Sequence, residues 1–178
     1  MKSVQLTTKA VRASLQTQIH DLREAEVSVP DDWRAGIDPR ALYPGECYYR
    51  AYRYATKLAC RLPALEEIWL VHGEYAILGI GHAWVELPGD VLFDAVLQRF
   101  YRRDAYYEIE LAKPWYKYRP AAAMVIAANM PVNPSGTISF GGWHTVLKLP
   151  PPDPKIPSAI EYHRAIELLA SVGLHGTP

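Results

Sequence analysis

Three residues between positions 47 and 94 could together do acyl chemistry: Cys47, His82 and Asp94. A free thiol, with a pKa near ~8.5, is only a few per cent thiolate at neutral pH. An imidazole beside it can take its proton and later return one to a leaving group. A carboxylate behind the imidazole fixes its tautomer and stabilises the imidazolium. Cys47 stands near the start of 46–61, ECYYRAYRYATKLACR, a stretch free of Gly and Pro. His82 and Asp94 lie in 81–94, GHAWVELPGDVLFD, which reads as strand, turn and strand about Leu87-Pro88-Gly89-Asp90.

The elements that must position them follow from pattern. Residues 46–61 predict a helix stopped by Pro63. At ~100° per residue, Cys47, Ala51, Tyr54, Ala55 and Leu58 share the face to be buried. The first turn, where unpaired N–H groups and the macrodipole favour anions, suits a thiolate and a developing oxyanion. Cys60, about 220° round and at the other end, is read as structural. The hairpin register supplies a condition. A two-residue loop pairs His82 with Ala95 and turns Asp94 to the opposite face. A three-residue loop, 88–90, pairs His82 with Val96 and sets Asp94 diagonally on the same face. The triad therefore requires the longer loop, and Pro-Gly, which suits a type II turn, fits an irregular one.

Elsewhere the pattern predicts a surface helix over 8–26, an irregular stretch over 33–45, and a strand at 67–71 that 75–78 continues after Gly73. A polar helix is expected over 99–110, and 115–119, WYKYR, reads as a loop. Residues 121–128 fit a buried helix or strand equally well. Residues 145–149 read as a final strand. The chain divides into one domain over 1–150, then a Pro-rich connector and C-terminal helix over 151–178 that packs on the same domain.

Bulk numbers exclude some classes. The 178 residues suit one domain with its own core. Lys+Arg and Asp+Glu number 19 each, so the chain lacks the basic surplus usual in nucleic-acid binders. The longest apolar run, 121–128, falls far short of the ~20 residues of a membrane span, and the first ten residues hold no signal-peptide core. The two cysteines, roughly 20 Å apart if on one helix, are too distant to bond. Free thiols fit a reducing compartment, so the expected location is cytoplasmic. The 12 Tyr and 5 Trp against 3 Phe place polar-tipped rings along a cleft or contact surface.

The run GECYYRAYRYA, then LVHGEY, GHAWVEL and VLFDAV, resembles the transglutaminase-like and papain-like cysteine superfamily over 45–96. That resemblance implies an α+β fold, with N-terminal helices and the nucleophile helix packed on an antiparallel sheet. It implies Cys47 as nucleophile, His82 as base and acid, and Asp94 as orienting carboxylate, with no cofactor or metal. Where the family carries Asp-Pro, this chain has Asp94-Ala95. The implied reaction passes through a Cys thioester. Hydrolysis of a peptide, isopeptide or side-chain amide stands first, with amine acyl transfer as the alternative and a peptide or protein as substrate.

Other readings compete at each position. Glu86 and Asp90 rival Asp94 for the orienting role. His72, His82 and Asp94 could form a metal site, though no HxH, HExxH or CxxC spacing supports one. Gln16, Gln18, Trp33 and Tyr43 are candidates for an oxyanion side chain. Substrate contacts are expected from Trp84, Trp115, Tyr116, Tyr118, Trp143 and His144. The rival class is a non-catalytic peptide- or protein-binding module on the same fold; a nucleic-acid binder using Arg99, Arg102, Arg103 and WYKYR is disfavoured by the neutral charge.

Overall fold

A computed structural model describes residues 8–75 and 80–128. The expected strand at 145–149, the division at 150/151, the C-terminal helix, Trp143 and His144 lie outside the described residues. The architecture is α+β. In chain order the elements are α1 (Thr8–Asp21), a 3-10 turn (Arg23–Ala25), α2 (Asp31–Arg34), α3 (Cys47–Arg61), β1 (Trp69–Tyr75), β2 (Ile80–Leu87), β3 (Val91–Asp94), β4 (Arg99–Arg102), α4 (Arg103–Glu110), β5 (Ala112–Tyr118) and α5 (Pro120–Ala128). The five strands form one antiparallel sheet in the order β4-β3-β2-β1-β5.

α3 presents Cys47, Ala51, Ala55 and Leu58 inward, as the 3.6-residue period requires. The two alanines let the helix axis approach the sheet closely. Tyr54 lays its ring 4.1 Å from Phe93 of β3, which identifies the sheet face that α3 covers. α4 covers the opposite face, where Tyr106 and Tyr107 meet the side chains of β2.

The β2–β3 connection is the three-residue one: Leu87 pairs with Val91. Gly89 and Asp90 both hold positive φ, +70° and +61°, conformations that glycine and short polar residues adopt most readily. Arg103 fastens this loop to the start of α4, its backbone N–H donating to Asp90 O at 2.8 Å and its guanidinium Nε to Asp90 Oδ1 at 3.0 Å.

Several expectations need correction. The helix expected over 8–26 stops at Asp21, because buried Leu22 leaves the helical path and Glu26 bridges to Tyr101. The stretch 33–45 is entered through a short helix, α2. The strand expected at 67–71 begins at Trp69 and runs on through Gly73 to Tyr75 as β1, and most of the stretch 75–78 lies outside the described residues. The polar helix over 99–110 begins only at Arg103. Arg99–Arg102 pair with β3 instead and bury Phe100 and Tyr101, so sheet pairing overrides helical propensity there.

WYKYR is not a loop. It forms most of β5 on β1, with a bulge that leaves Trp115 unpaired between Pro114 and Tyr116. Pro114, which lacks an N–H, is tolerated because β5 is an edge strand. Residues 121–128 resolve as helix, opened by Pro120 at the first helical position.

Candidate functional site

Alternation along β2 sends His82, Trp84 and Glu86 to the α4 face of the sheet and Ala83, Val85 and Leu87 to the α3 face. Asp94, at the end of β3, shares the face of His82 because of the three-residue loop. β3 stops there, so the His82 end of β2 extends beyond its partner. Tyr43 N–H donates to Val96 O at 3.1 Å, tying the segment before α3 to the turn after Asp94. This brings the first residue of α3 to the histidine. Cys47 stands close enough to His82 to raise its pKa, and His82 Nε2 is engaged by Asp94 Oδ2 at 3.2 Å.

Asp94 is fully buried and uses both oxygens. Oδ1 accepts the backbone N–H groups of Val96 at 2.7 Å and Leu97 at 3.0 Å, closing the turn that ends β3. Oδ2 accepts the hydroxyls of Tyr75 and Tyr106, each at 2.6 Å, besides facing His82. The two hydroxyls also touch each other. The Tyr75 ring stacks on the imidazole with centroids 4.1 Å apart, which fixes the plane of His82.

The charges follow from this shell. Burial alone would push the Asp94 carboxyl up, but the His82 charge and the hydrogen bonds from His82, Tyr106 and Tyr75 hold it down, at about 2. Burial alone would push His82 down, but Asp94 and Cys47 more than offset it and raise it to about 9. At neutral pH the pair is therefore imidazolium and carboxylate. Tyr75 and Tyr106 are driven well above the ordinary phenol value, first by burial and then by the Asp94 charge, so both remain donors.

Cys47 is 9 % exposed and His82 4 %, so the pair lies just beneath the surface. Cys60 is exposed at the other end of α3. Tyr48, next to Cys47, inserts its hydroxyl 2.6 Å from where a Cβ on Gly81 would stand, so a larger residue there requires Tyr48 to shift. Burial, with the neighbouring Cys47 adding, pushes the Tyr48 phenol up to about 12.

The rival assignments are placed elsewhere. Glu86 is buried and committed to Lys117 Nζ at 2.7 Å, Arg103 Nη1 at 3.3 Å and the Tyr107 hydroxyl. Asp90 serves Arg103. His72 faces α3, in ring contact with Tyr48 and Tyr118, on the opposite face from His82. Among the described residues no group of three His, Cys, Asp or Glu is arranged to hold a metal ion.

Of the oxyanion candidates, Gln18 donates to Glu110 Oε2 at 2.8 Å, Tyr43 lies under the Arg50 guanidinium at 3.2 Å, and Gln16 is exposed. Trp33 is half-buried against the core. The donors nearest Cys47 are the backbone N–H groups of the first turn of α3, where the Glu46 side chain makes no cap. It reaches Arg50 instead.

The expected substrate-contact aromatics require correction. Trp84, Tyr116 and Tyr118 are buried, and their rings fill the space between sheet and helices. Trp115 is half-buried beside Gly81 and Tyr48. Sequence reasoning missed Tyr75, Tyr106 and Tyr48. The abundance of tyrosine was the available signal, but it pointed to a surface, whereas these hydroxyls turn inward.

No family model, curated protein or solved structure matches the chain. No helix among the described residues is long and apolar enough to cross a membrane.

Proposed function

We propose that the chain is a cysteine-dependent acyl-transfer enzyme of papain-like or transglutaminase-like type, acting on a peptide, isopeptide or side-chain amide. The observation that carries this reading is the position of His82, beside Cys47 and engaged by a buried Asp94 carboxylate. In the proposed cycle the Cys47 sulfur, its proton lost to solvent and its thiolate paired with the His82 imidazolium, attacks the carbonyl carbon. The oxyanion is met by N–H groups at the start of α3. His82, as imidazolium, donates its proton to the departing amine, leaving a thioester on Cys47. Neutral His82 then takes a proton from water, which attacks the thioester. The products are a carboxylic acid and the free thiol. An amine in place of that water gives the acyltransferase alternative.

A histidine raised to about 9 suits the acid step, since it carries the proton that the leaving amine needs. The two free thiols fit a reducing, cytoplasmic setting. The low exposure of Cys47 and His82 favours, as a second reading, a binding module that keeps the triad without turnover. Incubation with a thiol-directed acyl-amide probe at pH 6, followed by mass mapping, separates the two. A covalent adduct on Cys47 with release of the probe's amine supports the enzyme. Modification confined to exposed Cys60 supports the binding module.

A further inference from the structure

A cavity of about 150 Å³ opens on the exposed flank of α3, away from Cys47, His82 and Asp94. Its walls carry Arg50, Arg53, Lys57 and Arg61, at spacings of three, four and four residues, which align them as one stripe along the helix. Tyr54 and Phe93 contribute to the lining, and the neutral residues 35–37 border it as well. No acidic residue lines the cavity among the described residues.

A charge run on a helix is ordinarily a solvated face. Three features distinguish this one. First, the chain as a whole is neutral, with 19 charges of each sign, yet α3 carries four cations and no Asp or Glu. Second, the cations line a concavity with room for about ten waters at ~15 Å³ of such volume each. Third, two of them are held in place. Arg61 donates to the Asp32 carbonyl, and Arg50 is clamped by Glu46 at 2.8 Å and by the Tyr43 ring. Lys57 makes no ion pair among the described residues, and Arg53 bonds only the neutral Tyr49 hydroxyl, at 3.0 Å.

We propose that this cavity is a binding site for a small phosphorylated molecule carrying at least two linked phosphoryl groups. The stripe from Arg50 to Arg61 extends roughly 16 Å along the axis, more than one phosphate can bridge. The inner pair, Arg53 and Lys57, lies about 6 Å apart, the scale of a diphosphate. Guanidinium and ammonium groups together supply forked and point-charge recognition of phosphate oxygens. A walled cavity favours a compact ligand over a nucleic-acid backbone, which needs a long continuous track. This site shares no residue with the proposed triad and stands without it.

The test is calorimetric titration of the full chain with inorganic pyrophosphate and inorganic phosphate at constant ionic strength. It is repeated with Arg53→Gln/Lys57→Gln, whose exposed side chains can be exchanged with an unchanged melting temperature as the check on folding. Pyrophosphate should bind at least about tenfold more tightly than phosphate, and the double variant should weaken it about a hundredfold, roughly tenfold per cation. Cys47→Ala should bind it as the wild type does. Absence of pyrophosphate binding, or binding indifferent to the double substitution, overturns the proposal. So does steeply salt-dependent binding of a single-stranded RNA oligonucleotide that pyrophosphate does not displace.

Discussion

His82 Nε2 stands 3.2 Å from Asp94 Oδ2, in a pocket where the carboxylate is fully buried and receives four further hydrogen bonds. The imidazole is thus held by one edge and stacked on by Tyr75, with Cys47 beside it. Asp94→Asn puts an amide where three donors converge on Oδ2. At least one donor then loses its acceptor, and the His82 charge loses its partner. The variant should fold less stably by about 3 kcal/mol, the scale of a broken buried pair. Its His82 should titrate well below the wild-type value, a change that NMR of the ring protons reads directly.

Tyr75→Phe and Tyr106→Phe each remove one donor from the charged form of Asp94. The carboxyl should then protonate at higher pH, so the acid limb of any pH–activity or pH–stability profile moves upward. Each should cost about 1–2 kcal/mol in chemical denaturation. A purely space-filling role for these tyrosines predicts an unmoved acid limb, since Phe preserves the ring.

Stability should vary with pH in a defined sense. The folded His82 value, about 9, lies above the ordinary 6.5, so its contribution is complete below 6.5 and fades as pH rises through 9. Asp94, at about 2 against 3.8, contributes above 3.8 and loses that contribution as pH falls through 2. Glu110 is raised from 4.5 to about 7, chiefly by burial, so its contribution is complete below 4.5 and lost as pH rises through 7. The melting temperature should therefore be highest near pH 4–5 and decline toward pH 9. His82→Gln should flatten the upper part of that decline, and Glu110→Gln the lower part. A melting temperature that climbs from pH 5 to 9 contradicts the assignment of these charges.

Gly81→Ala tests the packing around Cys47. A methyl group at Gly81 would stand 2.6 Å from the Tyr48 hydroxyl, so the Tyr48 side chain beside Cys47 must shift. The expected result is a loss of about 1–3 kcal/mol, the cost of overpacking a filled site, together with slower alkylation of Cys47. Unchanged stability and reactivity would mean that Tyr48 shifts without disturbing Cys47.

What the sequence disclosed was local and periodic. The α3 face was readable from its 3.6-residue pattern, and the hairpin's side-chain parity followed from counting residues through Pro88-Gly89-Asp90. The transition at Arg102/Arg103 was not readable, because the apolar residues of β4 fit a helical pattern equally well until a partner strand is present. WYKYR, read as a loop, is a strand for a related reason: its mixed aromatic and basic residues gain a β pattern only against β1, at the sheet edge where Pro114 is tolerated. The tyrosine shell of Asp94 depends on contacts between residues 12 and 19 positions apart, which no local pattern encodes.

The most direct measurement of the proposed chemistry is the pH dependence of Cys47 alkylation by iodoacetamide, in a Cys60→Ser background, with and without His82→Asn. If His82 and Asp94 activate the sulfur, the wild-type rate at pH 6 should stay within a few-fold of that at pH 8. His82→Asn should then restore the steep fall, up to about tenfold per pH unit, of an ordinary thiol. An ordinary thiol slope in the wild type, unaltered by His82→Asn, would contradict the account.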